Sequence, residues 1–355
     1  GANDRTWFHI DDIEWSVVTA TLGTPEPRVI NPGGFNALEV GVPAFPLAGA
    51  IIKTKVSATS FNLDLVALDT AKTAILTTFT GTVKVELLDA SPGGALDANG
   101  CNASWATIQT LATNPNFVAA DNGRKTVAFS ENNVWPNVRV RITYPAAGTA
   151  TAIGCSTDNF AVRPNGLVSV NATDNTWASA GTTRTLVNGS AGGGNVHKAG
   201  QPFTLRATGQ NASGITTSNY NGSPTIKTLT CTLPTPTCAN GTLTPGTWTA
   251  ASGIVTTTTA AYSEVGSFNL TLEDQTFAAV DSADSTLLER TIPQAAAITV
   301  GRFVPDHFII ATNNTPAFKT FNVADSACST LPRSFTYVGQ PFGYVTSPQA
   351  LVTAQ

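Results

Sequence analysis

The sequence predicts an all-β protein made of tandem antiparallel sandwiches, and three observations carry that prediction. First, hydrophobic residues alternate with period two. Phe61, Leu63, Leu65 and Ala67 share one side while Asn62 and Asp64 take the other. The same holds for Val83, Val85 and Leu87, and for Val138, Val140 and Ile142. Such alternation marks strands buried on one face. Second, no stretch of comparable strength has helical spacing, and Pro and Gly punctuate the runs, which favours a sandwich over an α/β fold. Third, a module recurs. Phe61-Asn-Leu63, Gly200-Gln-Pro-Phe203-Thr-Leu205 and Gly339-Gln-Pro-Phe342 place their phenylalanines 142 and 139 residues apart.

Taken in order, residues 1–16 read as the terminal strand of an upstream jelly-roll or concanavalin-like domain. In Arg5 to Trp15, Trp7, His9 and Asp11 alternate with Phe8, Ile10 and Asp12. Residues 17–160 form the first module, with a proline-rich, loop-like start to residue 46. Residues 161–302 form the second. There Gly200 to Leu205 begins a strand that Asn211 to Gly214 breaks, and Tyr220-Asn-Gly222 reads as the start of the next. Its best strand holds Phe268, Leu270 and Leu272, preceded by Tyr262. A tyrosine so placed resembles the tyrosine corner of immunoglobulin-like sandwiches, so the expectation is tandem immunoglobulin-like β-sandwich domains. Residues 303–355 are the incomplete start of a third such module. The two joints, Phe160 to Pro164 and Phe303 to Pro305, each set an aromatic before a proline that limits φ.

Composition sets the compartment. Charged residues are 12% of 355, against roughly 25% in an average soluble protein. Net charge is −4 with no basic stripe, so nucleic acid is not an expected partner. The longest uncharged apolar stretch, Val40 to Ile52, contains prolines and falls short of the roughly 20 residues of a membrane helix. The chain begins at Gly1 and contains no Met, as expected of processed material. Cysteines stand at 101, 155, 231, 238 and 328. In an oxidising compartment, Cys101 pairs with Cys155 and Cys231 with Cys238, one disulfide per module, leaving Cys328 unpaired.

Catalytic motifs are missing from the sequence: no G-x-S-x-G, H-E-x-x-H or P-loop occurs. His9, His197 and His307 fall in three different units. Gly192 to Gly194 reads as a loop, since no helix follows to hold a phosphate. Asp11, Asp12 and Glu14 supply too few oxygens for calcium and read as a solvated strand end. Glu273-Asp274 and Asp281 with Asp284 read as turn carboxylates. Lys84, Glu86, Arg139 and Arg141 read as a solvated face of exposed ion pairs, each worth under about 1 kcal/mol. The expectation is therefore no catalytic residue, no cofactor and no metal. Of the tryptophans, Trp105 and Trp135 read as packing residues. Trp177 and Trp248, in polar surroundings, are candidate glycan contacts.

A family resemblance adds to this. Phe35-Asn-Ala-Leu-Glu39, Ser60-Phe-Asn-Leu-Asp64, Phe79-Thr-Gly-Thr-Val-Lys-Val-Glu-Leu87, Asn137 to Ile142, Cys155 to Pro164, Tyr262-Ser-Glu-Val-Gly266, Gly301 to Phe308 and Phe335 to Phe342 resemble, in order, the MshQ-like family. Its members are large bacterial surface proteins encoded with type IV pili of the mannose-sensitive haemagglutinin class. The resemblance implies an exported, non-enzymatic, pilus-associated protein on the surface of a Gram-negative cell. Its partners would be other appendage subunits. It implies no catalytic residues.

Two other functions are weighed beside this one. A self-assembling subunit would exchange strands between copies, using Trp7, Phe8 and Ile10 or Phe335, Tyr337 and Phe342. A carbohydrate-binding module would stack sugar rings on Trp177 and Trp248.

Overall fold

The computed structural model describes residues 31–174, 183–318, 338–339 and 344–355. Trp7, Phe8, Ile10, Asp11, Asp12, Glu14, Trp177, Cys328, Phe335, Tyr337 and Phe342 lie outside them, and so do the expectations placed on them. The regular structure of the described chain is nearly all β-strand, in sheets that are mainly antiparallel.

The first sandwich comprises β1 (Gly34–Glu39), β2 (Lys55–Val56), β3 (Phe61–Leu68), β4 (Gly81–Thr82), β5 (Lys84–Asp89), β6 (Ala106–Thr110), β7 (Asn116–Phe117), β8 (Arg124–Phe129), β9 (Trp135–Tyr144), β10 (Ala152–Cys155) and β11 (Phe160–Arg163). One sheet runs β1-β3-β8. The other runs β2-β11-β9-β5-β6, with β10 on β9. The alternation read from the sequence explains the layering. Leu63, Leu65 and Ala67 meet Val85, Leu87, Val138, Val140 and Ile142 across the interior. Full burial of such a side chain contributes about 1.5–3 kcal/mol. Gly154 lets β10 lie directly on β1, since a Cβ there would stand 2.2 Å from the Phe35 carbonyl oxygen.

The second sandwich comprises β12 (Gly166–Asp174), β13 (Arg184–Thr185), β14 (His197–Lys198), β15 (Phe203–Gln210), β16 (Thr225–Leu233), β17 (Leu243–Thr244), β18 (Thr249–Ala251), β19 (Ile254–Tyr262), β20 (Gly266–Asp274), β21 (Ile292–Pro293) and β22 (Ile298–Val304). One sheet runs β13-β12-β15-β19-β17, with β18 on β19. The other runs β14-β22-β20-β16, with β21 on β20. Phe203, Tyr262, Phe268 and Phe303 form its aromatic centre, and His197 stands edge-on to Phe203 and Phe303.

The repeat is a repeat of wiring. In each unit a two-residue strand lies parallel to the closing strand, pairing Lys55 with Val162 in the first and His197 with Phe303 in the second. The order β1-β3-β8 becomes β12-β15-β19, and β2-β11-β9-β5 becomes β14-β22-β20-β16. Phe61 and Phe203 open equivalent strands.

Four local readings differ from the structure. The loop-like stretch up to residue 46 contains β1, whose Phe35 and Ala37 are buried; its prolines flank the strand and do not interrupt it. Tyr220 does not start a strand. Its ring fills the core and its hydroxyl donates to Asp274 Oδ2 (2.8 Å), which delays β16 to Thr225. Tyr262 is buried, but its hydroxyl accepts from the Gly241 N–H (3.0 Å). Finally, Glu86 is not on a solvated face. It is 4% exposed because β6 extends the sheet beside it. Arg141 Nε reaches it at 2.8 Å and Lys84 Nζ at 3.0 Å. Burial pulls this carboxyl up, but Arg141 and Lys84 outweigh that and hold it below the usual range. Arg139 instead lies over the Trp105 ring and donates to the Ser156 carbonyl (2.5 Å).

Beyond Pro305, β23 (Phe308–Thr312) pairs with β26 (Ala350–Ala354), and β24 (Ala317–Phe318) with β25 (Tyr344–Thr346). Phe308, Ile310, Leu351 and Val352 are exposed on the first of these ladders.

Candidate functional site

The most elaborate polar constellation among the described residues is the joint between the two sandwiches, and it is built by loops of the second unit. After β20, Asp274 caps its own turn, accepting from the Thr276 and Phe277 N–H groups (2.8 and 3.2 Å). The chain then makes a 3-10 turn at Ala279–Asp281 and a short helix, α1 (Leu287–Arg290). Thr286 caps α1 through the reciprocal Thr286–Glu289 pair, a capping box that fixes where the turn ends.

This acidic turn seats on the first sandwich. Asp281 is fully buried. Its Oδ2 accepts from the Ala161 N–H (3.0 Å) and from the Thr54 hydroxyl. Its Oδ1 has no hydrogen-bond partner. Ser285 Oγ accepts from the Thr54 N–H (2.9 Å), and Arg163 Nε donates to the Glu289 carbonyl (2.5 Å). Lys53 Nζ faces Glu289 at 3.5 Å.

Burial pushes the Asp281 carboxyl up to about 7. Thr54 and Ala161 oppose the rise, and the nearby charges of Asp158 and Asp284 add to it. Asp158 is also raised, by burial first, although the Ile52 N–H bonds its Oδ2 at 2.6 Å. A buried carboxylate with one oxygen unsatisfied is costly, so the group gains by staying protonated.

A second contact lies beside the first. Asn211 Nδ2 donates to the Asn132 carbonyl (3.1 Å), and the Ala212 N–H to the Ser57 carbonyl (3.0 Å). Asn219 brackets Val134, accepting from its N–H (3.2 Å) and donating to its carbonyl. Val134 belongs to the first sandwich by sequence, yet its side chain is part of the second sandwich's core cluster. The joint is thus a hydrophobic plug ringed by hydrogen bonds.

The other sequence candidates fall elsewhere. Cys101–Cys155 and Cys231–Cys238 are disulfides, as expected. The first ties β10 to the loop before β6, and the second closes the loop after β16. Trp248 is half-buried against the second core, with its indole N–H bonded to the Pro224 carbonyl (2.9 Å). His197 is buried and His307 exposed, and nothing brings them together. No group of three or more His, Cys, Asp or Glu residues suited to a metal occurs among the described residues. No helix there is long and apolar enough to cross a membrane. A cleft of about 250 Å³ lies at the second joint, lined by Leu233, Pro234, Val265, Phe303 and Val304 with Arg302 beside them.

Sequence reasoning missed Asp281 and Val134 as joint residues. Asp281 with Asp284 was visible as a carboxylate pair but carried the pattern of any polar turn.

With the class of molecule defined as a tandem all-β sandwich protein, comparison with known proteins adds the following. A family model described as "DUF6701, third domain" matches residues 264–355. That match begins just before β20 and crosses the second joint. No curated protein matches the chain. Among solved structures, the chain is similar to dimeric latent PorU from Porphyromonas gingivalis, at 15% identity and TM-score 0.22, over 80% of this chain and 26% of that one. It is similar to E. coli alpha-2-macroglobulin in its native conformation, at 10% identity and TM-score 0.19, over 90% of this chain and 20% of that one. It is also similar to Salmonella alpha-2-macroglobulin reacted with methylamine, at 12% identity and TM-score 0.17, over 81% and 18%. The chain spans about a quarter or less of those structures, and at these scores none bears on its function.

Proposed function

We propose that this chain is a non-enzymatic structural and adhesive element of a bacterial surface appendage, exported and pilus-associated in the manner of the MshQ-like family. The observation that supports it best is the joint. Val134 plugged into the neighbouring core, with Asn219 and Asp281 also bonded across the joint, makes two sandwiches into a braced pair, which suits a load-bearing stalk. Two disulfides fit an oxidising compartment. We read each unit as immunoglobulin-like, because β1-β3-β8 against β11-β9-β5 has the pairing of the ABE and GFC strands in that architecture. The test is surface labelling of intact cells with antibody to this chain, alongside mechanical shearing of appendages. The expected result is label that co-purifies with the sheared filaments. Label confined to lysed cells, or cysteines recovered as free thiols, would overturn the proposal.

A second reading is self-assembly through strand complementation. The exposed apolar side chains of Phe308, Ile310 and Val352 on the β23-β26 ladder favour it, since an uncovered strand pair invites another chain. Light scattering decides it. Concentration-dependent oligomers that Ile310→Asp abolishes are expected, and a monomer at every concentration would remove this reading.

A further inference from the structure

We propose that the joint between the two sandwiches is controlled by a proton: with Asp281 neutral the acidic turn stays seated on the first sandwich, and with Asp281 ionised the joint opens as a hinge. This inference stands on the joint alone and holds whether or not the protein belongs to a pilus.

The geometry carries it. Asp281 Oδ2 is held by two donors that both come from the first sandwich, the Ala161 N–H and the Thr54 hydroxyl. They are neutral donors, and among the described residues no cation contacts either Asp281 oxygen. Oδ1 is buried with no partner. The elements packed against the turn supply charges that are negative, engaged elsewhere or, for Arg290, not in contact with Asp281. From the first sandwich, Asp158 faces it, with Arg139 directed at Asp158 and at the Ser156 and Thr157 carbonyls. From β11, Arg163 is committed to the Glu289 and Pro164 carbonyls. Lys53 sits on Glu289, and Lys55 is bound by both Glu39 oxygens. From its own loop come Asp284, which repels it, and Glu289 and Arg290 on α1. A charge formed on Asp281 therefore meets two neighbouring carboxylates and, among the described residues, no cation in contact with it. Leaving the seat is its route back to water.

The sign follows from linkage. The docked group holds its proton up to about 7, while the ordinary value is 3.8. Below 3.8 both docked and open forms are protonated and docking is at full strength. Between the two values the open form releases its proton first, so docking weakens about tenfold per pH unit. Above about 7 both forms are ionised and the loss levels off.

The experiment is hydrogen exchange on the full chain, reading the Ala161 amide, whose N–H is the seat's own donor. Protection is corrected for the intrinsic exchange rate at each pH. In the unmodified protein the Ala161 protection factor is expected to fall about tenfold per pH unit from pH 5 to 7, while the Leu272 amide inside the second sandwich stays level. In Asp281→Asn the Ala161 protection should be flat with pH. A flat profile in the unmodified protein, or an unchanged slope in the variant, overturns the proposal. A parallel fall at Leu272 also overturns it, since that reports global unfolding. Should Asp281→Asn fail to fold, Asp158→Asn serves. Removing that neighbouring charge eases ionisation and moves the levelling-off to lower pH, and an unmoved profile sinks the idea.

Discussion

The two sandwiches share their wiring and differ in what they place on it. At the outward pair facing each other on β5 and β9, and on β16 and β20 in the second unit, the first sandwich sets Glu86 against Arg141. The second sets Thr228 against Thr271, with their hydroxyls 2.5 Å apart. The edge at β8 in the first unit differs from that at β19 in the second. Strand β8 has no covering strand among the described residues, whereas its counterpart β19 is flanked by β17 and β18. The disulfides differ in span, with separations of 54 and 7 residues. The inward residues, by contrast, are aromatic or aliphatic in both. Interior pattern thus sets the architecture, while surface pairs, edges and cross-links vary around it.

The sharpest way to break this comparison is at the equivalent phenylalanines. Phe203 is buried and Phe61 half-buried. Phe203→Ala should cost about 3–5 kcal/mol and Phe61→Ala clearly less, read from denaturant midpoints. Equal costs would mean that the two cores are organised differently from their shared topology. Next come the disulfides. Replacing Cys101 and Cys155 by Ser should cost about 4 kcal/mol and replacing Cys231 and Cys238 about 2, from the loops they close; thermal unfolding of the two double variants checks the order. Val134→Ala removes two buried carbons and should cost about 2 kcal/mol. The loss should appear in the second sandwich's unfolding, although the residue belongs to the first. Smaller still, Arg141→Ala leaves Glu86 buried with Lys84 alone and should cost about 1–2 kcal/mol. Thr271→Ala at the matching place should cost about 0.5–1.

The comparison extends to pH with opposite signs. Glu86 is held below its usual 4.5, so it contributes stability present above that value and lost as pH falls. Asp281 is raised, so its contribution is present in acid and lost as pH rises. Acid titration should therefore weaken the first sandwich and not the joint, and raising the pH from about 4 to 7 should loosen the joint and not the sandwich. Tryptophan fluorescence for the sandwich and Ala161 exchange for the joint separate the two.

The sequence made the strands legible because half-burial imposes alternation on every one of them. The same property hid the joint. Thr54 and Ala161 lie 227 and 120 residues from Asp281, and no local pattern distinguishes a turn carboxylate that will be buried from one that will face water. Val134 sits among Glu131-Asn-Asn133 and Trp135-Pro136, a polar loop with no periodicity to show which core would take it. Glu86 misled for a related reason. Its alternation with Val85 and Leu87 correctly put it opposite the core, but β6, a strand too weakly patterned to foresee, lies beside it, and Arg141, Lys84 and the Thr107 and Thr110 hydroxyls close around it. The disulfides were readable because spacing and compartment sufficed.

Val134 has one more consequence. A scissor cut between the repeats, at the Phe160 to Pro164 joint, would return a first fragment carrying a side chain that its own interior does not use, and a second fragment with a hole where that side chain had been. The unit that evolution copies and the unit that folds are therefore not the same length of chain here. A boundary drawn by counting repeats leaves Val134 with the first unit, while the core it completes belongs to the second.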